Sequence, residues 1–216
     1  MQIIDPSFEI IDMPDGADIL KRIELAGRTC YKSEDKITAN SAEAFVRRII
    51  KSGHHSVLEH VTATVRIICD RGVSHELVRH RIGIAFSQAS TRYCNYSKYK
   101  FGHEITVIRP MWWDTTSIEY QLWENSMAVA EYAYMTMLEH NSTPQQARSV
   151  LPNSLATEIV VTANMREWRH IFALRCDTAA HPQMRQIMIP IMQEFHKRCP
   201  AMFDDMEVCK NNVTDH

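Results

Sequence analysis

Residues 61 to 67 read VTATVRI, in which Val61, Ala63, Val65 and Ile67 alternate with Thr62, Thr64 and Arg66. A period of two in a run rich in β-branched residues marks a strand with one covered and one exposed face. Such a strand is not stable alone. It needs neighbours in a sheet and an apolar layer over its covered face, and the rest of the chain must supply both.

Helical patterns supply the layer. Residues 18–28 and 41–52 read as helices, the second opening at a capping-type Ser41, presenting Phe45, Ile49 and Ile50 at helical spacing, and stopping at Gly53. Residues 117–139 predict a long helix with Tyr120, Trp123, Met127, Ala130, Tyr134, Met137 and Leu138 on one stripe. Short helices are expected over 73–80 and 166–176, and a last one over 182–198 with a kink at Pro190. Further strands are expected near the start, around Ile3, Ile4, Phe8, Ile10 and Ile11, and over 105–108 and 158–163. Strands and helices mix without regular alternation, so the pattern predicts the α+β class. No repeat or Gly/Ser linker divides the chain, which reads as a single domain over 1–216 with possible breaks at Pro110 or Thr143-Pro144.

A formal charge of −2, with 24 Lys+Arg against 26 Asp+Glu, argues against a protein that coats nucleic acid by bulk attraction. Charged residues interrupt every apolar run, so no membrane span is expected. Six scattered cysteines (Cys30, Cys69, Cys94, Cys176, Cys199 and Cys209) form no C-x-x-C pair, the opening residues carry no signal-peptide pattern, and a reducing cytoplasm is the expected setting.

Against this even background, residues 79–93 read RHRIGIAFSQASTRY. Arg79, His80 and Arg81 followed by Ser90, Thr91 and Arg92 offer guanidinium forks and hydroxyls to a phosphate or nucleobase, while Ile82, Ile84 and Phe86 draw the segment toward an apolar site. Gly83 and Ala85 favour an irregular segment, and the alternative for SQASTRY is a polar turn before a strand. The aromatics Tyr93, Tyr96, Tyr99 and Phe101 read as edge-strand packing. In GHHSVLEH (residues 53–60), His54 and Ser56 could face a ligand, and Glu59 and His60 could bond within the fold; no partner motif completes a metal site, so no metal is expected. Along residues 164–178 an amphipathic helix would bury Trp168, Ile171, Phe172 and Leu174, which leaves Arg175 either as a buried ion pair, with Asp177 for instance, or as a ligand-reading group.

The triplet RHR, eight residues, then Ser90-x-Arg92-Tyr93, with GHHSVLEH upstream, ARSVLP at 147–152 and N-x-R…LR-x-D from Asn164 to Asp177, resembles the flavin-dependent thymidylate synthases. The resemblance extends from about Gly53 to Pro200. It implies helices packed around a central, mainly antiparallel sheet, and a homotetramer with active sites shared between subunits. It further implies bound FAD, conversion of dUMP to dTMP with 5,10-methylenetetrahydrofolate as carbon donor and NADPH as reductant, and no enzyme cysteine nucleophile.

Carried over residue by residue, the resemblance implies dUMP contacts from Glu76, Arg79, Gln88, Ser90, Thr91, Arg92, Arg148 and Arg175. It implies FAD contacts from Ser56, Arg79, His80, Arg81, Gln88, Asn164, Arg166 and His170. Arg175 matches the arginine that reads the uracil and is the implied catalytic residue; His54 matches a site-lining histidine. Two departures stand out. Residues 82–89 form a stretch one longer than the family's commonest seven, and Gln88 stands where an acidic residue is frequent. Two readings compete: a non-catalytic nucleotide-binding or RNA-binding regulator that uses the arginines only for phosphates, which near-neutral charge disfavours, and a flavin-free nucleoside-modifying enzyme, which would need a metal triad or a nucleophilic cysteine.

Overall fold

The alternation at residues 61–67 becomes a strand, Thr62–Asp70, in a computed structural model that describes residues 1–206. Ala63, Val65, Ile67 and Cys69 are buried along it, with Thr64, Arg66 and Ile68 half-buried between them. In chain order the elements are β1 (Gln2–Ile4), β2 (Ser7–Asp12), α1 (Gly16–Tyr31), α2 (Ser41–Lys51), β3 (Thr62–Asp70), α3 (Arg71–Leu77) and β4 (Ile84–Gln88). They continue with β5 (Thr106–Ile108), α4 (Ile118–Glu139), α5 (Pro144–Ala147), β6 (Ala156–Asn164), α6 (Met165–Arg175) and α7 (Pro182–Arg198). The class is α+β, as the pattern predicts.

A four-stranded sheet runs in the order β2-β3-β6-β4, and β1 pairs with β5 in parallel. Strands β3 and β6 are antiparallel: Met165 N–H donates to Val61 C=O (2.9 Å) past one end, and Arg71 N–H to Asn153 C=O (2.9 Å) past the other. β6 and β4 are antiparallel too, through Ala89 to Glu158 (2.9 Å) and Asn164 to Gly83 (3.0 Å).

Two compact units interleave along the chain, and β3, β4 and β6 each pass from one into the other. The first unit comprises Met1–Ser7, Ile67–Arg79 and Ser87–Val160, so Pro110 and Thr143-Pro144 both lie inside it. Its core joins Ile105 and Val107 to Met127 and Tyr134 of α4, with Ala147 and Leu155. Ser117 caps α4, its Oγ accepting from Tyr120 N–H (3.2 Å).

The second unit comprises Phe8–Arg66, His80–Phe86 and the chain from Val161 onward. Its core stacks Trp168 and Phe172 of α6 with Phe195 of α7 and Phe203, at centroid separations of 5.0 to 6.0 Å. Trp168 Nε1 donates to Ala63 C=O (3.1 Å), so the buried indole leaves no donor unmet. Gly27 lets α1 close on α2: a Cβ there would sit 2.6 Å from the Phe45 ring.

Several expectations are corrected. Residues 82–89 are not an irregular loop, because Ile84–Gln88 form the edge strand β4, paired to β6. Gly83, at φ +67°, makes the turn that enters it. Ser41 is the first helical residue of α2 rather than its cap; its Oγ donates to Glu24 Oε2 (2.8 Å) and accepts from Thr38 N–H (2.9 Å). Residues 93–101 form turns and a short 3₁₀ helix instead of an edge strand, leaving Tyr93 and Tyr99 exposed while Tyr96 packs on Tyr134. The side chain of Phe101 and residues 207–216, Cys209 included, lie outside what is described. Leu174 is 48% exposed, because the buried stripe of α6 runs Trp168, Ile171 and Phe172 and one turn later reaches Arg175. Pro190 sits inside α7, whose helical run continues to Arg198.

Candidate functional site

β6 ends at Asn164, whose Oδ1 accepts from Glu167 N–H (2.9 Å) and so starts α6 without an intervening loop. The cap fixes the phase of the helix: Glu167 and Trp168 turn inward, and Arg166 and His170 outward. Gly83 packs against the same asparagine, and a Cβ at that position would collide with the Asn164 side chain. The cap and the turn into β4 are thus held by one contact.

Within this second unit, His80 is 7% exposed and bonded through both ring nitrogens. Nδ1 lies 2.8 Å from Glu167 Oε1, and Arg175 Nε donates to Nε2 at 3.1 Å. An acceptor on one side and a donor on the other require the neutral tautomer with its proton on Nδ1. Burial pushes the His80 pKa below the usual histidine value; the Arg175 charge works the same way, and the Glu167 hydrogen bond opposes both. The ring meets His170 edge-on, with centroids 5.5 Å apart.

The result is a chain of orientation: Glu167 fixes the imidazole, and the imidazole fixes the plane of the Arg175 guanidinium. His80, Glu167 and His170 also bring possible metal-ligand atoms within 4.8 Å of one another. His80, however, has its lone pair engaged by a cation's N–H, so holding an ion would first require breaking the bond to Arg175.

An open cleft of about 390 Å³ in the same unit is lined by Cys30, Tyr31, His54, His55, Ser56 and Arg166, among others. Tyr31 Oη lies 3.4 Å from His54 Nδ1, and Arg166 Nη1 donates to Glu59 Oε1 at 2.6 Å. Ser56, Arg166 and His54 are therefore brought together, whereas Arg81 stands exposed outside these contacts and Asn164 works as a helix cap. Arg166 and His170 are exposed on α6, and Arg166 and Ser56 share the cleft.

The first unit holds the other predicted group. Arg148 Nη1 donates to Thr91 Oγ1 (3.4 Å), Arg92 Nε to Gln145 Oε1 (3.1 Å), and Arg92 N–H to Ser90 Oγ (3.3 Å). Arg79, Arg92 and Arg148 are exposed, and Glu76 is half-buried at the end of α3. Gln88 differs from the others, since its Nε2 donates to Ser74 Oγ (2.9 Å) and Thr157 Oγ1 (3.1 Å), which ties the amide into the sheet.

Sequence reasoning missed Glu167, Tyr31 and Gln145. The signal for Glu167 was present as an acid three residues after a capping asparagine, but that position normally faces solvent. Its partner His80 lies 87 positions away.

The chain is a mixed α+β protein that holds an arginine through a buried histidine–carboxylate pair. Residues 10–201 match the family model described as thymidylate synthase complementing protein. A flavin-dependent thymidylate synthase from Corynebacterium diphtheriae is 34% identical over 203 residues, covering 86% of this chain and 78% of the relative. Enzymes of the same name from Geobacter sulfurreducens and Mycobacterium tuberculosis are each 34% identical, over 190 and 203 residues, covering 85% and 86% of this chain and 80% and 79% of their own lengths. The chain belongs to the flavin-dependent thymidylate synthase family, and is an enzyme of the methyltransferase type in nucleotide synthesis.

Proposed function

We propose that the protein binds FAD and converts dUMP to dTMP, taking its carbon from 5,10-methylenetetrahydrofolate and its reducing equivalents from NADPH. It works as a cytoplasmic homotetramer with active sites shared between subunits, without nucleic-acid or membrane partners. The observation that carries this reading is the Glu167–His80–Arg175 chain, which holds a guanidinium in one plane from within a buried core. A fixed cation beside uracil N3 and O4 favours the anionic ring and makes C5 more nucleophilic; at 4 Å and an effective dielectric near 20 that is worth about 4 kcal/mol.

In this reading Glu76, Arg79, Ser90, Thr91, Arg92 and Arg148 bind dUMP, the arginines meeting its phosphate. Ser56, Arg79, Arg81, Arg166 and His170 hold the flavin, which supplies hydride transfer when bound, with His80 and Asn164 supporting them through the bond to Arg175 and the cap of α6. Gln88 supports Ser74 and Thr157 beneath the strand and shapes the site from behind, and His54 lines the cleft with Tyr31. The reading assigns no cysteine as nucleophile; burial pushes the Cys69 thiol up to about 12 and the Cys199 thiol up to about 11, which disfavours both thiolates at neutral pH. Among the described residues no helix is long and apolar enough to cross a membrane.

The test is spectroscopic. Purified protein should carry the visible absorbance of bound flavin, bleach with NADPH, recover colour faster with dUMP and the folate present, and release tritium from C5-labelled dUMP. A colourless protein that takes up no FAD and releases no tritium would refute the proposal.

A further inference from the structure

Glu167 and His170 stand three positions apart on α6, the Glu-x-x-His spacing that sets a carboxylate and an imidazole side by side along a helix. His80 comes to them from a distant part of the chain, bonded to Glu167 at 2.8 Å and edge-on to the His170 ring. One ligand atom from each of the three falls within 4.8 Å of the other two. Two imidazoles and a carboxylate are a donor set that zinc-class dications take, with ligand bonds of about 2.0–2.2 Å and hence ligand atoms about 3.3 Å apart. His80 and Glu167 are buried and already touch. His170 is exposed, so its ring can swing to close the set, and it marks the side by which an ion enters.

His80 cannot serve an ion and Arg175 together. Its proton sits on Nδ1, facing Glu167, and its Nε2 accepts from Arg175 Nε–H. An ion on Nε2 takes the lone pair that Arg175 uses. An ion on Nδ1 replaces the proton there, and the neutral ring then carries its proton on Nε2, where it meets the Arg175 N–H donor against donor at 3.1 Å. Charge works the same way, because a dication repels a guanidinium at this range. By either nitrogen the ion and the aligned arginine exclude each other, and the exclusion is reciprocal: whatever holds Arg175 in place weakens the ion by the same factor.

We propose that His80, Glu167 and His170 form an inhibitory site for a zinc-class divalent cation, whose occupation releases Arg175. The site stands on geometry; the loss of turnover that follows from it rests on the thymidylate-forming reading above. It is tested by calorimetric titration of Zn²⁺ into the flavin-loaded full chain after treatment with a chelator. Wild type should bind the ion, and Glu167→Gln, which removes a ligand, should weaken it by at least about tenfold. Arg175→Ala should instead tighten it by at least about tenfold, because the competing cation is gone. General loosening of the site would not give that gain. Turnover of wild type should fall as the site fills and return when chelator is added. Unchanged affinity in Glu167→Gln, or no gain in Arg175→Ala, overturns the proposal. Should Arg175→Ala not fold, nitrogen NMR of wild type decides: zinc must shift a His80 ring nitrogen, and a ring unmoved at saturation refutes the site. A protein that binds zinc in this pattern but forms no thymidylate loses the proposed function and keeps the site. An active protein whose rate is unaffected at zinc saturation keeps the function and overturns the inhibitory site.

Discussion

Replacing Glu167 tests the orientation chain at its buried end. Glu167 is 8% exposed and accepts the His80 Nδ1 proton at 2.8 Å, so Glu167→Ala leaves that N–H without its acceptor in a buried place. The imidazole can relieve this by moving its proton to Nε2, where it faces the Arg175 Nε–H at 3.1 Å, donor against donor. Either Nδ1–H stays unmet or Arg175 turns away. A buried unsatisfied donor costs about 1–3 kcal/mol, and if that appears as lost alignment of Arg175, turnover falls by about 5- to 150-fold. Glu167→Gln keeps a carbonyl acceptor at the same reach and should recover most of the rate, although the charge is gone. Nitrogen NMR of the His80 ring gives a readout that generalised loosening would not move: protonation at Nδ1 in wild type and Glu167→Gln, and a shift toward Nε2 in Glu167→Ala. If Glu167→Ala turns over at the wild-type rate, or loses rate while His80 keeps its proton on Nδ1, the proposed chain of orientation is wrong.

Arg175→Ala should lower turnover by about 10²-fold or more while flavin absorbance per chain is retained, and Arg81→Ala should instead raise the FAD dissociation constant; titration of both variants with FAD separates the roles. Because burial lowers the His80 pKa relative to the unfolded chain, the unfolded state takes up the proton first. The stability this histidine contributes is therefore complete above about pH 6.5 and is lost as pH falls below it, so urea unfolding should show a shallower pH slope there for His80→Gln. Gly83→Ala forces a side chain into φ +67° and against the Asn164 cap. It should cost about 1–3 kcal/mol by urea unfolding, and a wild-type midpoint would show that the turn and the cap are independent.

Legibility followed periodicity. β3 was readable because seven residues alternated without a break, and α4 because an apolar stripe recurs at helical spacing along a helix of 22 residues. β4 was hidden, since Gly83 and the small Ala85 and Ser87 looked like loop, although Ile84 and Phe86 already alternated with them. On α6 the error was one of phase: Arg175, seven residues after Trp168, continues the inward stripe, and Leu174 lies off it. The arginines and histidines were visible as residue types, but what holds them was not. Glu167, Gln145 and Tyr31 act across 87, 53 and 23 positions, and no local pattern records contacts at that range.

The two long strands each pass into a helix at a single residue: Asp70 caps α3, with Oδ1 accepting from Val73 N–H at 2.7 Å, and Asn164 caps α6 in the same way. Neither joint has any slack. A one-residue insertion in β3 or β6 would shift the register by about 3.3 Å, reverse which face each strand residue occupies, and carry the following helix with it. Arg175, eleven residues after the Asn164 cap of a helix seeded by the sheet, would lose its aim with no change to its immediate neighbours. The chain should accordingly accept length changes in the turns around residues 95–103 and reject them at 70–71 and 164–165, so that indel tolerance would map the rigid frame more sharply than substitutions do.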